Sequence, residues 1–165
     1  MKKFFIILAA FFLCISAAFT LGTKTDEAFK SVKHAASTQG VNDMKISITI
    51  TSESGKHTLT AALSDNSSAA AFYELLKKNT ITVNMQDYGN FEKVGRLPQS
   101  LPHNDMQITT SAGDIILYQG NKITVYYDVN SWNFTLLGKI DGITQAELKK
   151  ILGTGDITAV FAVLK

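Results

Sequence analysis

Residues 113–140 read GDIILYQGNKITVYYDVNSWNFTLLGKI, and their pattern sets the class of fold. Two apolar runs, 115–119 and 123–127, flank Gly120-Asn121, a composition that suits the tight turn of a β-hairpin. Upstream, Met44, Ile46, Ile48 and Ile50 alternate with Lys45, Ser47, Thr49 and Thr51. That period of two marks a half-buried strand. Ser54-Gly55 turns the chain, and residues 57–63 return with Leu59, Ala61 and Leu63 on one face. Residues 80–85 alternate again through Ile81, Val83 and Met85. Residues 157–164 are almost continuously apolar, which predicts a central strand or one covered on both faces.

Two segments keep helical spacing instead. Residues 65–68 offer several N-caps for a helix reaching about Lys78, with Phe72, Leu75 and Leu76 as its apolar stripe and Asn79 as its stop. Thr144 and Glu147 have the spacing of a capping box, opening a helix that ends at Leu152 before Gly153. Seven or eight short strands with two helices predict a mainly β domain, a barrel or a sandwich, and two helices suit a barrel whose open ends they plug. Residues 86–106 hold both prolines and break the pattern, which predicts a long irregular segment. Residues 130–135 form a second expected loop, around the only tryptophan, Trp132.

The start of the chain has a different character. Lys2 and Lys3 precede an uncharged run from Phe4 to Phe19 in which Ser16 is the only polar residue. Ser16 and Ala18 stand at the spacing of a signal-peptidase site, with Gly22 as a second option. A membrane span needs roughly 20 apolar residues, and this run falls short. The expected organisation is a removable leader over 1–22, a polar connector over 23–43 and one domain over 44–165. Contact with a membrane is expected only through the leader, before cleavage. The expected location is outside the cytoplasm, in the periplasm or the extracellular space.

Cleavage would remove Cys14, the only cysteine, leaving no disulfide, thiol nucleophile or thiolate ligand. It would also remove two of the 16 basic residues, while all 14 acidic residues lie later, so the domain would balance at 14 each. No general positive field then remains to attract nucleic acid. Lys77-Lys78 and Lys149-Lys150 fall at helix ends, where they complement the helix dipole.

No catalytic constellation is assembled in the sequence. His34, His57 and His103 are far apart, with no partner at metal-ligand spacing, so neither a metal nor another cofactor is expected. His103-Asn104-Asp105 lacks the Gly-x-Ser-x-Gly elbow of a serine hydrolase. Gly153-Thr154-Gly155 closes a helix rather than opening one and is no phosphate loop.

The stretches YGNFEKVGRLPQSLPHND (88–105) and TTSAGDIILYQGNKITVYYDVNSWNFTLLGKI (109–140) resemble the bacterial cyclophilin-like fold family, small domains that are exported or associated with flavodoxins. The similarity extends from about Met44 to the C-terminus. It implies a closed eight-stranded barrel with a helix at each end, and no settled activity. True cyclophilins isomerise X-Pro bonds with an arginine beside an apolar pocket, supporting an imide whose rotation faces a barrier of about 20 kcal/mol. None of their active-site stretches is matched here, and the only arginine, Arg96, falls in the expected irregular segment. Members of the closer family often carry arginine where this chain has Gln99 and Leu137.

The expected function is a non-catalytic, exported module that binds a peptide or small ligand between segments 86–106 and 128–135. Tyr88, Phe91 and Trp132 are the candidate aromatic contacts, Arg96 a forked hydrogen-bond donor, and Asn104 a polar contact. Tyr118, Tyr126 and Tyr127 read as core or barrel-face residues. The alternatives are a peptidyl-prolyl isomerase of the cell envelope and an accessory domain in a larger assembly.

Overall fold

The alternation over 44–51 is realised as strand β1 (Lys45–Ser52), whose Ile46, Ile48 and Ile50 are wholly buried on one side. The turn places Gly55 at φ +108°, and the chain returns as β2 (Gly55–Leu63), antiparallel to β1 along its length. The computed structural model describes residues 44–165, so the leader (1–22) and the connector (23–43) lie outside the described residues. The remaining elements are α1 (Ser67–Lys78), β3 (Ile81–Tyr88), β4 (Glu92–Arg96), β5 (Met106–Thr109), β6 (Asp114–Tyr118), β7 (Lys122–Tyr126), β8 (Ser131–Ile140), α2 (Gln145–Leu152) and β9 (Ile157–Val163).

The strands run in the order β2-β1-β9-β3-β4-β7-β6-β8, and β8 pairs back to β2. This closes an antiparallel barrel of eight strands; the ninth, β5, pairs only with the first residues of β8. β9 lies between β1 and β3, the central position expected of it. The closing seam is short: Ala61, Ala62 and Leu63 face Ile140, Lys139 and Gly138. A Cβ on Gly138 would collide with the Ala62 carbonyl oxygen and lie 3.0 Å from the Leu63 Cα. A glycine is what lets the two backbones approach.

The helices close opposite ends. α1 follows the end of β2 and lies over the end where β1 and β3 begin; α2 lies over the β1–β2 turn. Asn66 caps α1, accepting from the Ala69 N–H at 2.9 Å, and its side-chain amide donates to the Leu136 carbonyl at 2.8 Å. α1 buries Phe72 and Leu76, with Phe72 edge-on to Phe161 at 5.8 Å between ring centroids. The Thr144–Glu147 capping box opens α2 as expected, and Leu148 and Leu152 point into the core. The hydroxyls of Ser52 and Ser54 donate to the Ile151 carbonyl at 2.6 and 2.9 Å, fastening α2 to the turn. The interior is filled by aliphatic side chains with no exposure, each worth about 1.5–3 kcal/mol when fully buried.

Two segments expected to be irregular contain strands. β3 continues to Tyr88, β4 follows after three residues, and β8 begins at Ser131 rather than after 135. β4 escapes an alternation test because it reads EKVGR: its first two residues, both charged, are buried, its last, Arg96, is exposed, and its glycine sits against a neighbouring strand. A Cβ on Gly95 would strike Val83 and lie 2.5 Å from the Asn84 carbonyl oxygen. Residues 97–105 are the part that stays irregular, yet they are anchored. Leu97 and Leu101 enter the core, and their N–H groups donate to the Asn121 and Gly120 carbonyls at 2.8 Å.

Gly138→Ala is expected to destabilise the barrel by about 1–3 kcal/mol through forced separation at the seam. Gly155→Ala, where an added Cβ meets nothing within 4 Å, is expected to be close to neutral. Denaturant unfolding of the two variants beside the unsubstituted protein checks both.

Candidate functional site

β6 and β7 face two different apolar environments. Ile115, Leu117, Ile123 and Val125 point into the barrel core. Ile116 and Tyr126 point outward and, with Phe134, form a second buried cluster flanked by Phe91, Ile108, Tyr118 and Leu136. The outer cover is the short ribbon of β5 and the first residues of β8, tied on by Thr110, whose N–H donates to the Asn130 carbonyl at 2.8 Å.

This cover is incomplete and leaves a cleft of about 440 Å³, within the range of small-ligand sites. One wall comes from Tyr88, Phe91, Glu92 and Val94 of the β3–β4 hairpin. The floor and second wall come from Tyr118, Gln119, Lys122 and Tyr126 of β6–β7, and the third from Asn130, Trp132 and Phe134. Phe91 and Tyr126 stack with ring centroids 6.0 Å apart and planes 10° apart. Tyr118 meets Phe134 edge-on at 6.0 Å, and Tyr88 meets Phe91 edge-on at 5.9 Å. Tyr88 and Trp132 form the rim, 62% and 60% exposed.

Tyr88 and Phe91 reach the cleft through the turn between β3 and β4. Gly89 and Asn90 take positive φ (62° and 58°), reversing the chain in three residues. The Phe91 carbonyl then accepts from the N–H groups of Tyr127 and Asp128, at 2.9 and 3.1 Å, pinning the turn to the end of β7.

Glu92 is the cleft's unusual residue. It is 7% exposed, and its Oε2 has no hydrogen-bond partner. Burial pushes its carboxyl above the ordinary carboxylate range; the Tyr126 hydroxyl opposes the shift, the Asp87 charge adds to it and Lys122 opposes it. Burial and the same carboxylate also push the Tyr126 hydroxyl up. Thr124 Oγ1, on the same outer face of β7, is likewise buried without a partner. Lys122 makes no ion pair with Glu92: its Nζ donates to Gln119 Oε1 at 2.8 Å and lies 5.3 Å from the Tyr118 ring centroid.

The cleft brings together three of the five residues singled out in the sequence: Tyr88, Phe91 and Trp132. Arg96 is not among its lining. It ends β4 and lines a separate groove with Leu75, Asn79, Pro98 and Gln99, among others. Asn104 is engaged elsewhere: its amide donates to Ser67 and Ser68 at 2.9 and 2.7 Å, and its N–H to Thr135 Oγ1 at 2.7 Å. It joins the 97–105 segment to the start of α1. Leu137 is a core residue with no exposure. Among the described residues, no three His, Cys, Asp or Glu side chains converge as metal ligands. Glu92, Tyr118, Lys122 and Tyr126 were not anticipated as site residues. The available signal was the alternation of β6 and β7, which sends residues 116, 118, 124 and 126 to the face opposite the core.

β4 also carries a second charge, pointing the other way. Lys93 is fully buried, and its Nζ donates to Asp87 Oδ2 at 2.8 Å and to the Gly155 carbonyl at 2.7 Å. The Tyr127 hydroxyl donates to the same Asp87 oxygen at 2.6 Å. Burial alone would push the Asp87 carboxyl up, but hydrogen bonds from Lys93 and Tyr127, with the Lys93 charge, hold it below the ordinary range. Each charge here has its partner, so the cluster ties β3, β4 and β7 to the turn before β9.

Residues 52–162 match the model of a family described as the cyclophilin-like family. No curated protein sequence matches the chain. Among solved structures, the solution structure of the hypothetical protein AF2241 from Archaeoglobus fulgidus is similar with a TM-score of 0.53 and 12% identity. The match covers 76% of this chain and 99% of that one. At that identity the likeness is one of fold.

Asp87→Asn would leave the Lys93 ammonium buried without its counter-charge and is expected to cost about 3 kcal/mol at neutral pH. Because the Asp87 carboxyl is held low, its contribution is complete above the ordinary aspartate range and is lost as pH falls through the lowered value. The gap between wild type and Asp87→Asn should therefore narrow in acid, which urea unfolding at pH 7 and pH 3 would test.

Proposed function

The chain belongs to the cyclophilin-like family, and on that premise we propose that its domain is an exported, non-catalytic module holding a peptide or small ligand in the aromatic cleft outside the barrel. The observation that carries this reading is the pair of half-open aromatics, Tyr88 and Trp132, over an otherwise buried aromatic floor. Exposed aromatics around a concave site are a common ligand contact, whereas the barrel interior is occupied by its own side chains. Asn130 and Gln119 add amide groups that could orient a backbone or a polar head. The isomerase alternative has less support, since the lone arginine, Arg96, lines another groove.

The test is an NMR screen of the isotope-labelled domain against small aromatic and aliphatic amides and short peptides. Shift changes should concentrate at Phe91, Glu92, Tyr118, Tyr126 and Trp132. Changes centred on Arg96 and Gln99, or no change with any compound, would overturn the placement. The export half of the proposal rests on Lys2, Lys3 and the uncharged run to Phe19. Intact mass of the protein recovered from the cell envelope or medium should correspond to a start at Phe19 or Thr23. A mass retaining residues 1–22, or recovery only from the cytoplasm, would sink it.

A further inference from the structure

We infer that the ligand of this cleft presents a small cationic head, an alkylammonium such as that of a lysine side chain or a free amine, to the carboxylate of Glu92. The inference rests on the binding reading above and deepens it. Buried polar groups in folded proteins nearly always have a hydrogen-bond partner, so each exception asks for one. Among the described residues there are two such side-chain atoms, Glu92 Oε2 and Thr124 Oγ1, and both lie on the outer face of the paired strands β4 and β7. Glu92 lines the cleft and is more than nine-tenths buried. Its free oxygen can only accept while ionised, so the missing partner donates. A charged donor compensates a desolvated carboxylate better than a neutral one.

The walls favour the same chemistry. Tyr118, Tyr126, Phe91 and Trp132 line the same cleft as Glu92, and aromatic ring faces attract an ammonium group. The cleft already holds one cation in this way, since the Lys122 ammonium sits over the Tyr118 ring. Lys122 is also the only cationic side chain of the lining and so the natural seat for an anion. Its ammonium, however, is already served by Gln119 and Tyr118, and an anion there would meet the Glu92 carboxylate. The unserved group is the acceptor. The unpaired carboxylate also burdens the fold, so Glu92→Gln is expected to be at least as stable as wild type at neutral pH and is a clean probe.

The experiment titrates N-acetyl-lysine N-methylamide, butylamine and N-acetyl-norleucine N-methylamide into the domain. Trp132, the only tryptophan of the chain, reports occupancy by its fluorescence, and NMR shifts report its place. The capped lysine should bind at least ten-fold more tightly than the capped norleucine. Glu92→Gln should lower its affinity at least ten-fold without lowering Tm, and Lys122→Met should raise it by removing a repulsion. Butylamine matching the capped lysine assigns recognition to the head alone; weaker butylamine binding assigns part of it to the peptide backbone. Both support the inference. Equal binding of norleucine and lysine compounds, or no effect of Glu92→Gln, overturns it. So does weaker binding in Lys122→Met with tighter binding in Glu92→Gln, the mark of an anion site. If no cationic compound binds while neutral amides still shift the cleft resonances, the cation is wrong and the binding module stands. If neither class shifts them, both fall.

Discussion

The structure depends on what β8 is made to do. It must pair with β6 along residues 135–139 on one edge and, on the other edge, with β2 at residues 138–140, because only this second contact closes the barrel. The overlap is possible because residue 138 has no side chain, and because the register with β6 shifts between Ile115 and Ile116. With the second half of β8 committed to closure, its first residues, Ser131–Phe134, have no barrel strand beside them. They pair with β5 instead and carry Phe134 onto the outside of β6 and β7. The closure of the barrel and the cleft on its surface are thus two consequences of one strand's path.

Adjacent residues on β4 show how differently the fold treats buried charge. Lys93 points inward and finds a carboxylate and a carbonyl, while Asp87 in turn receives a second donor from Tyr127. Glu92, one residue earlier, points outward into the aromatic cluster and keeps one oxygen without a donor. The first arrangement fixes β3, β4 and the end of β7 against the turn between α2 and β9. The second leaves that oxygen desolvated without compensation, where a neutral side chain of similar size would fill the space at lower electrostatic cost. Local choices that agree everywhere else and disagree at one place mark that place as a site under a different demand.

Most of the barrel was legible because its strands alternate or carry turn residues at the right places. The β1–β2 hairpin, both helices with the Thr144–Glu147 box, the 115–127 hairpin and the central last strand were all accessible from spacing. β4 was not, because buried Glu92 and Lys93 look like surface residues and Gly95 like a break. Yet its turn carries the same signal as the one after β6. Gly89-Asn90 and Gly120-Asn121 are the same dipeptide, and each lies in a three-residue hairpin connection with two consecutive positive φ values. The two prolines at 98 and 102 drew attention to the whole stretch and hid the turn at its start. Of the cleft, the loop aromatics were visible and the strand tyrosines were not. A tyrosine such as Tyr126 looks the same in sequence on either face of a barrel, and only the ribbon over the outer face distinguishes them.

An eight-stranded barrel of this size is filled by its own side chains, so recognition is confined to its ends and its outer surface. Both ends are closed by helices, with Leu76 of α1 and Leu148 of α2 buried against the core. The outer surface is the remaining place, and its long-range electrostatics are weak: with or without Lys2 and Lys3, the formal net charge lies between +2 and 0. A field of that size neither gathers nor repels charged ligands from a distance. Selectivity must then come from contact inside the cleft. There a carboxylate held at low dielectric among aromatic rings acts far more strongly on a neighbouring charge than it would in water. The same burial that raises the proton affinity of Glu92 strengthens its pull on any cation seated beside it.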